Sequence, residues 1–320
     1  MTGPSSTGRT EEVVGLDWSD GVVTAARVGL SPSGAVSLLN VGWASVSAGV
    51  SDRELATAIR DVWRSASMPS WTVAVSLRSR AVILRYFNYP SLQPEELTSA
   101  LRLEAEESLQ LPQDEIALDY HLNHKRKPVT PGASGRPYEG LLVAAPRKEV
   151  KHHLEVIRLA GLYPVVVDLG ATAVANLFQA LHPDPRACED TCVLHLSSQS
   201  ADVLMLFEGD SLYARTLHAR GGTWDSSVAA LVEGLQDALK FYVFKLRGQP
   251  ARRIVVTGRL PLQPDFLDVL RRTTGMPVEI WNPLAQVKPE SFRVKHRLTS
   301  GSPPPLSISM GLSLRRYDSD

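Results

Sequence analysis

The chain holds 320 residues, 43% hydrophobic and 21% charged, enough to bury a core in about two domains and too apolar for wholesale disorder. Its 34 basic residues cancel its 34 acidic ones, so no overall field draws it to nucleic acid or to an anionic bilayer. Two cysteines exclude a disulfide framework and a four-thiolate zinc site. With no apolar leader, and no apolar run near the about 20 residues that span a bilayer, a soluble cytoplasmic protein is expected.

Residues 1–11 read as a disordered tail, small and polar. A strand at 13–17 leads into a polar turn, Trp18-Ser19-Asp20-Gly21, then strands at 22–30 and 35–45. Ser51 and Asp52 open a helix to 66, with Leu55, Ile59 and Val62 at helical spacing, and a buried strand follows at 71–76. The second half repeats this order. Strands are predicted at 191–196, 202–207 and 211–218, a long helix over 223–246, a strand at 253–257, a helix over 264–273 and a strand at 277–281.

Between the copies lies a stretch of different character. A strand at 80–87 precedes a helix over 94–109, which begins with Pro94, Glu95 and Glu96 as backbone and dipole prefer. Residues 116–122 alternate apolar and polar, the period of a half-buried strand. A Lys/Arg/Pro/Gly-rich hairpin loop at 124–138, a strand at 141–145 and a helix over 147–160 complete the insert. A strand at 165–168 and a helix over 171–181 then finish the first domain. The predicted boundaries are 12–188 for domain 1, with the insert at about 80–162, and 189–290 for domain 2. A linker covers 291–305, and a C-terminal helix over 306–320 returns to domain 1.

This duplicated β-β-β-α-β-α order resembles the actin-like ATPase fold, an α/β fold in which two ribonuclease H-like domains face a nucleotide cleft. Segments in chain order resemble the type IV pilus assembly protein PilM family. They are GLDWSDGVVTAARV (15–28), ELTSALRLEAEESLQLPQDEIALDY (96–120), LLVAAPRKEV (141–150) and AGLYPVVVDLGATAVANLF (160–178), then LHARGG (217–222), WNP (281–283) and GLSLR (311–315). The resemblance covers nearly the whole chain. It implies a scaffold of a type IV pilus or related secretion platform at the inner face of the bacterial inner membrane. The implied partner is the N-terminal cytoplasmic peptide of a PilN-like membrane protein, held between the first subdomain and the insert. Leu97, Leu101, Glu104 and Tyr120 of the insert are the candidate partner contacts.

By the same resemblance ATP and Mg would sit against Asp17, Ser19, Asp20, Gly21, Ser197, Ser198 and Gly258. The sequence departs from an active member at each part of that site. Ser19 stands where a glycine lets backbone approach phosphate, Trp18 precedes it, and Thr24 stands where a lysine would neutralise charge. The second turn reads His195-Leu196-Ser197 in place of Asp-Ile-Gly, and the adenosine contact reads Thr257-Gly258-Arg259. The segment after Gly222 is too short for the subdomain that roofs the nucleotide. Lost hydrolysis, no catalytic residue and no resident cofactor or metal are therefore expected. The alternatives are a working Mg-ATPase of this fold or an FtsA-like cytoskeletal protein. The latter would need a C-terminal amphipathic tether that Arg315–Asp320 is too short and acidic to form.

Other features read as ordinary structure. His152 and His153 are adjacent on a helix and diverge by about 100°, unlike the i, i+4 pair that shares zinc. Cys188 and Cys192 lack a second ligand pair and read as free thiols. The basic cluster at 125–127 offers only about 3 kcal/mol at an anionic surface. His195 reads as a hydrogen-bonded strand residue.

Overall fold

A computed structural model describes residues 10–31, 34–90, 92–123, 138–184, 188, 190–198, 200–207, 210–218, 224–246, 248–259, 265–287 and 304–318. The described residues form two compact units. One draws on Met1–Leu77, Leu154–Leu181 and Pro283–Asp320, the other on Arg78–His153 and His182–Asn282.

The first unit is built on a sheet of β2 (Val14–Ser19), β3 (Val22–Leu30), β4 (Val36–Ser45), β5 (Thr72–Ser76) and β9 (Tyr163–Asp168), in the order β4-β3-β2-β5-β9. The β2-β3-β4 meander is antiparallel, while β2, β5 and β9 run parallel. Helix α1 (Asp52–Ser65) starts on a capping box, Ser51 and Glu54 each bonding the other's backbone N–H. Its Ile59, Val62 and Trp63 pack on Val14, Leu16, Val73 and Val75, joined by Val156 and Ile157 of α3 (Arg147–Leu159). The packing of α4 (Gly170–Leu181) and the C-terminal α7 (Ser307–Ser313) is close. A Cβ on Gly15 would lie 1.9 Å from the Ser309 carbonyl oxygen, so only glycine lets β2 meet α7. Ser313 accepts the Val28 N–H and donates to the Val13 carbonyl, each at 2.9 Å.

The second unit carries β10 (Thr191–Leu196), β11 (Ser200–Phe207), β12 (Asp210–His218), β13 (Arg253–Gly258) and β14 (Val278–Ile280), ordered β12-β11-β10-β13-β14. That order repeats the first sheet's. Helices α5 (Trp224–Phe244) and α6 (Phe266–Thr274) cover it through Leu235, Ala238, Tyr242, Phe266 and Leu270. The insert adds a three-stranded antiparallel sheet, β6 (Ile83–Tyr89), β8 (Tyr138–Pro146) and β7 (Ile116–Leu122), ordered β6-β8-β7 and backed by α2 (Pro94–Leu109). Single-turn 3-10 helices lie at Gln113–Glu115 and Pro283–Ala285. Among the described residues no helix is long and apolar enough to cross a membrane.

Four expectations change. Thr10 and Glu11 are not tail: they begin β1 (Thr10–Glu12), which pairs antiparallel with β15 (Arg316–Asp318) at the other end of the chain. A partner that distant leaves no local signature. The C-terminal helix stops at Ser313 because that strand follows. Strand β2 runs through Trp18 and Ser19, leaving only Asp20 and Gly21 in the turn, at φ 55° and 76°. The predicted insert divides: residues 78–153 cluster with the second half of the chain, because β12 packs on β6 and β8 and Tyr86 joins the second sheet's core, while the end of α3 stays in the first unit's core. The predicted loop at 124–138, all but Tyr138, and the linker at 291–305, all but its last two residues, lie outside the described residues, as does the end of the LHARGG segment.

Candidate functional site

In open α/β sheets ligands gather beyond the carboxyl ends of parallel strands. In the first unit those ends bring Asp17, Ser19, Ser76 and Asp168 to one edge, with Ser76 and Asp168 paired in register. Asp17 is 3% exposed. Ser76 donates its hydroxyl to Oδ1 of Asp17, and Ser19 donates to Oδ2 at 2.6 Å. Each carboxylate oxygen thus carries a donor from the protein itself. Ser19, the residue at the glycine position, is half-buried and turned onto Asp17. Thr24 lies opposite Asp17 in the hairpin and its hydroxyl reaches the Asp17 carbonyl at 3.4 Å. Trp18 packs against the core under α1. Asp20 and Gly21 make a two-residue hairpin turn, and the Gly21 carbonyl accepts the Val46 N–H at 2.8 Å.

Sequence reasoning missed three members of this edge: Ser76, Asp168 and Arg315. Asp168 meets the start of α4 by accepting the Leu169 N–H at 2.8 Å and the Thr172 hydroxyl on one oxygen. Its other oxygen meets Nε of Arg315 at 2.9 Å, so the C-terminal segment closes on the end of β9. The available signal was an aspartate three residues before a predicted helix; Arg315 left none, because its partner lies far away in sequence.

In the second unit the corresponding ends are Leu196 and Gly258, paired in register. Gly258 sits at φ 91°, and a Cβ there would lie 2.2 Å from the Leu196 carbonyl oxygen. The close approach of two strands is enough to demand this glycine. Ser197 closes its own turn: its N–H donates to the Ser200 carbonyl at 2.8 Å, and its hydroxyl accepts the Ser200 N–H at 3.1 Å. Ser198 is exposed at the tip. His195, where the family motif has an acid, is 4% exposed and faces Asp202 at 3.5 Å through Nδ1. Thr216 donates to the same carboxylate at 2.7 Å. Burial pushes the Asp202 carboxyl up, but His195, Thr216 and the charge of Arg78 outweigh it and hold its pKa below the ordinary value. Among the described residues no three His, Cys, Asp or Glu converge on a metal position.

The candidate partner contacts separate into core and surface. Leu97 and Leu101 are 1% and 0% exposed and pack with Phe87 and Leu142 in the insert's own core, so they present nothing to a peptide. Glu104 accepts the Tyr89 hydroxyl at 2.7 Å; burial first, then that carboxylate, pushes the Tyr89 pKa up to about 12. Tyr120 is half-buried and stands edge-on to Phe87, ring centroids 6.3 Å apart.

Comparison with known proteins accords with this architecture. The PilM-PilN type IV pilus biogenesis complex contains a chain 23% identical, superimposing with a TM-score of 0.73 over 95% of this chain and 98% of that one. The cytoplasmic domain of EpsL, an inner membrane component of the type II secretion system of Vibrio cholerae, is 12% identical. Its TM-score is 0.51 over 86% of this chain and 92% of its own. The fold is the actin-like one that the duplicated element order implies. The family model described as type IV pilus assembly protein PilM matches residues 35–228, more than half of the chain. The chain therefore belongs to the type IV pilus assembly protein PilM family.

Proposed function

We propose that this protein is a non-hydrolysing actin-like scaffold of a type IV pilus or related secretion platform. It works at the cytoplasmic face of the inner membrane and binds the N-terminal cytoplasmic segment of a PilN-like membrane protein. Family membership and the likeness to a PilM-PilN complex support the assembly and the partner. The observation that carries the loss of hydrolysis is the state of Asp17. A carboxylate that is to organise Mg and water must face the ligand. Asp17 is buried, and both its oxygens are taken by Ser76 and Ser19. Ser197 spends its N–H and hydroxyl on its own turn, and a histidine stands in place of the second acid. These residues do not fit Mg-ATP, and no chemical step runs through it.

The test is phosphate release from Mg-ATP, with thermal unfolding beside it. A ligand at 100 times its Kd adds about 2.7 kcal/mol to the native state. The scaffold reading expects no turnover and no shift of the unfolding midpoint at millimolar Mg-ATP. Turnover that disappears in Asp17→Asn would instead make the chain a working ATPase.

A further inference from the structure

The insert carries a groove beside Tyr120. It has a volume of ≈ 200 Å³ and lies between α2 and β7. Thr98, Arg102 and Ala105 line one side, spaced by four and three residues and so sharing one face of α2. Ile116, Leu118 and Tyr120 line the other, alternate residues of β7 that form an apolar row. Asp119 also borders the groove, but its carboxylate is turned onto the Tyr120 N–H at 2.8 Å.

Two further observations say what would fill it. First, among the described residues β7 pairs with β8 alone and forms one edge of its sheet. In an antiparallel pair alternate residues point N–H and C=O away from the partner, so this edge presents backbone groups beside the apolar row, of which the Tyr120 N–H is held by Asp119. Second, two cations stand at the groove, Arg102 from α2 and Arg147 from the start of α3. Both are exposed, and neither has an ion pair or hydrogen bond among the described residues. Small-molecule pockets run to about 300–1,000 Å³, so this smaller groove suits the side chains of a strand better than a cofactor.

We propose that this groove docks an extended acidic segment of a second protein. The segment adds as a strand to the outer edge of β7. Its apolar side chains lie on the half-buried Leu118 and Tyr120, and its carboxylates meet Arg102 and Arg147. The proposal goes beyond the PilN-like partner: the groove lies wholly within the insert and needs neither that partner nor a nucleotide.

The test uses the full chain, isotopically labelled for NMR and titrated with a short capped peptide alternating valine and aspartate. Saturable shifts are expected at the amides of 117–122 and at the side chains of Arg102 and Arg147. A valine–lysine peptide should give none. The double variant Arg102→Glu, Arg147→Glu changes only exposed side chains. It should weaken binding about tenfold or more while leaving the unfolding midpoint in place. Adding the N-terminal segment of the PilN-like partner should leave the titration unchanged. Absence of saturation at millimolar peptide, equal binding of the lysine peptide, shifts elsewhere, or indifference to charge reversal would each overturn the proposal. Competition by the PilN-like segment would assign the groove to that partner and overturn the second site, while leaving the scaffold reading intact. A concentration-dependent dimer lost in the double variant would assign it to a second copy of the chain and also overturn it.

Discussion

Ser76 donates its hydroxyl to Asp17, tying the ends of two neighbouring parallel strands together inside the first unit. The acid that an active relative would turn towards metal and water is here a buried acceptor for two serines. Asp17→Ala should therefore act on stability. It removes the buried acceptor shared by Ser76 and Ser19, at a cost of about 2 kcal/mol. In a protein of this size the unfolding midpoint should fall by about 4–8 °C. Phosphate release should stay at background in both proteins.

Gly15 is required by the C-terminal helix. In Gly15→Ala the new methyl meets the Ser309 carbonyl oxygen and the Leu312 side chain. Overpacking of this kind costs about 3 kcal/mol when the obstacle is backbone. Thermal unfolding should show the loss, and limited proteolysis should show cleavage near α7 that the parent resists.

Leu101 tests the difference between core and contact surface. It is fully buried against Phe87 and Leu142. Leu101→Ala should cost about 2–5 kcal/mol through the cavity it leaves. Denaturant unfolding measures that cost. Binding of the PilN-like segment, measured at a temperature where the variant is still folded, should be unchanged.

Asp202 gives the second unit a pH dependence of known sign. Its folded-state pKa is held down by His195, Thr216 and Arg78 despite its burial. The unfolded chain, with an ordinary Asp pKa of about 3.9, takes up the proton first as pH falls. The stabilisation is thus complete above that value and drains away as pH falls through the lower folded one. Denaturant titrations from pH 7 down to about pH 3 should show a steeper acid loss in the parent than in Asp202→Asn.

Both cysteines are buried, and burial pushes the Cys192 thiol up to about 12. At pH 8 its thiolate fraction is then roughly 10⁻⁴, and thiolate is the reactive form. Ellman's reagent should leave both thiols untouched in the folded chain and titrate both once it is unfolded.

Local signals made most elements legible from sequence. Pro94, Glu95 and Glu96 marked the start of α2, and the alternation at 116–122 marked β7. Ser19 and His195 were equally visible as single-letter departures from the motif that the family resemblance supplies. What stayed hidden depends on distant partners. Nothing near Thr10 announces its pairing with Asp318, and nothing near Asp168 announces Arg315. Sequence could not separate core from surface among the candidate contacts; three dimensions bury Leu97 and Leu101 of α2 while leaving Tyr120 of β7 half at the surface. The groove beside Tyr120 was invisible for the same reason, because Arg102 and Arg147 converge only after folding.

The central claim is that this chain holds a PilN-like segment without using ATP. Isothermal titration of the full chain with the N-terminal segment of its PilN-like membrane partner, in the absence and presence of Mg-ATP, tests it most directly. The account predicts saturable binding with the same Kd in both conditions and no phosphate released. Binding that appears only with Mg-ATP, or is lost as ATP is hydrolysed, would contradict it.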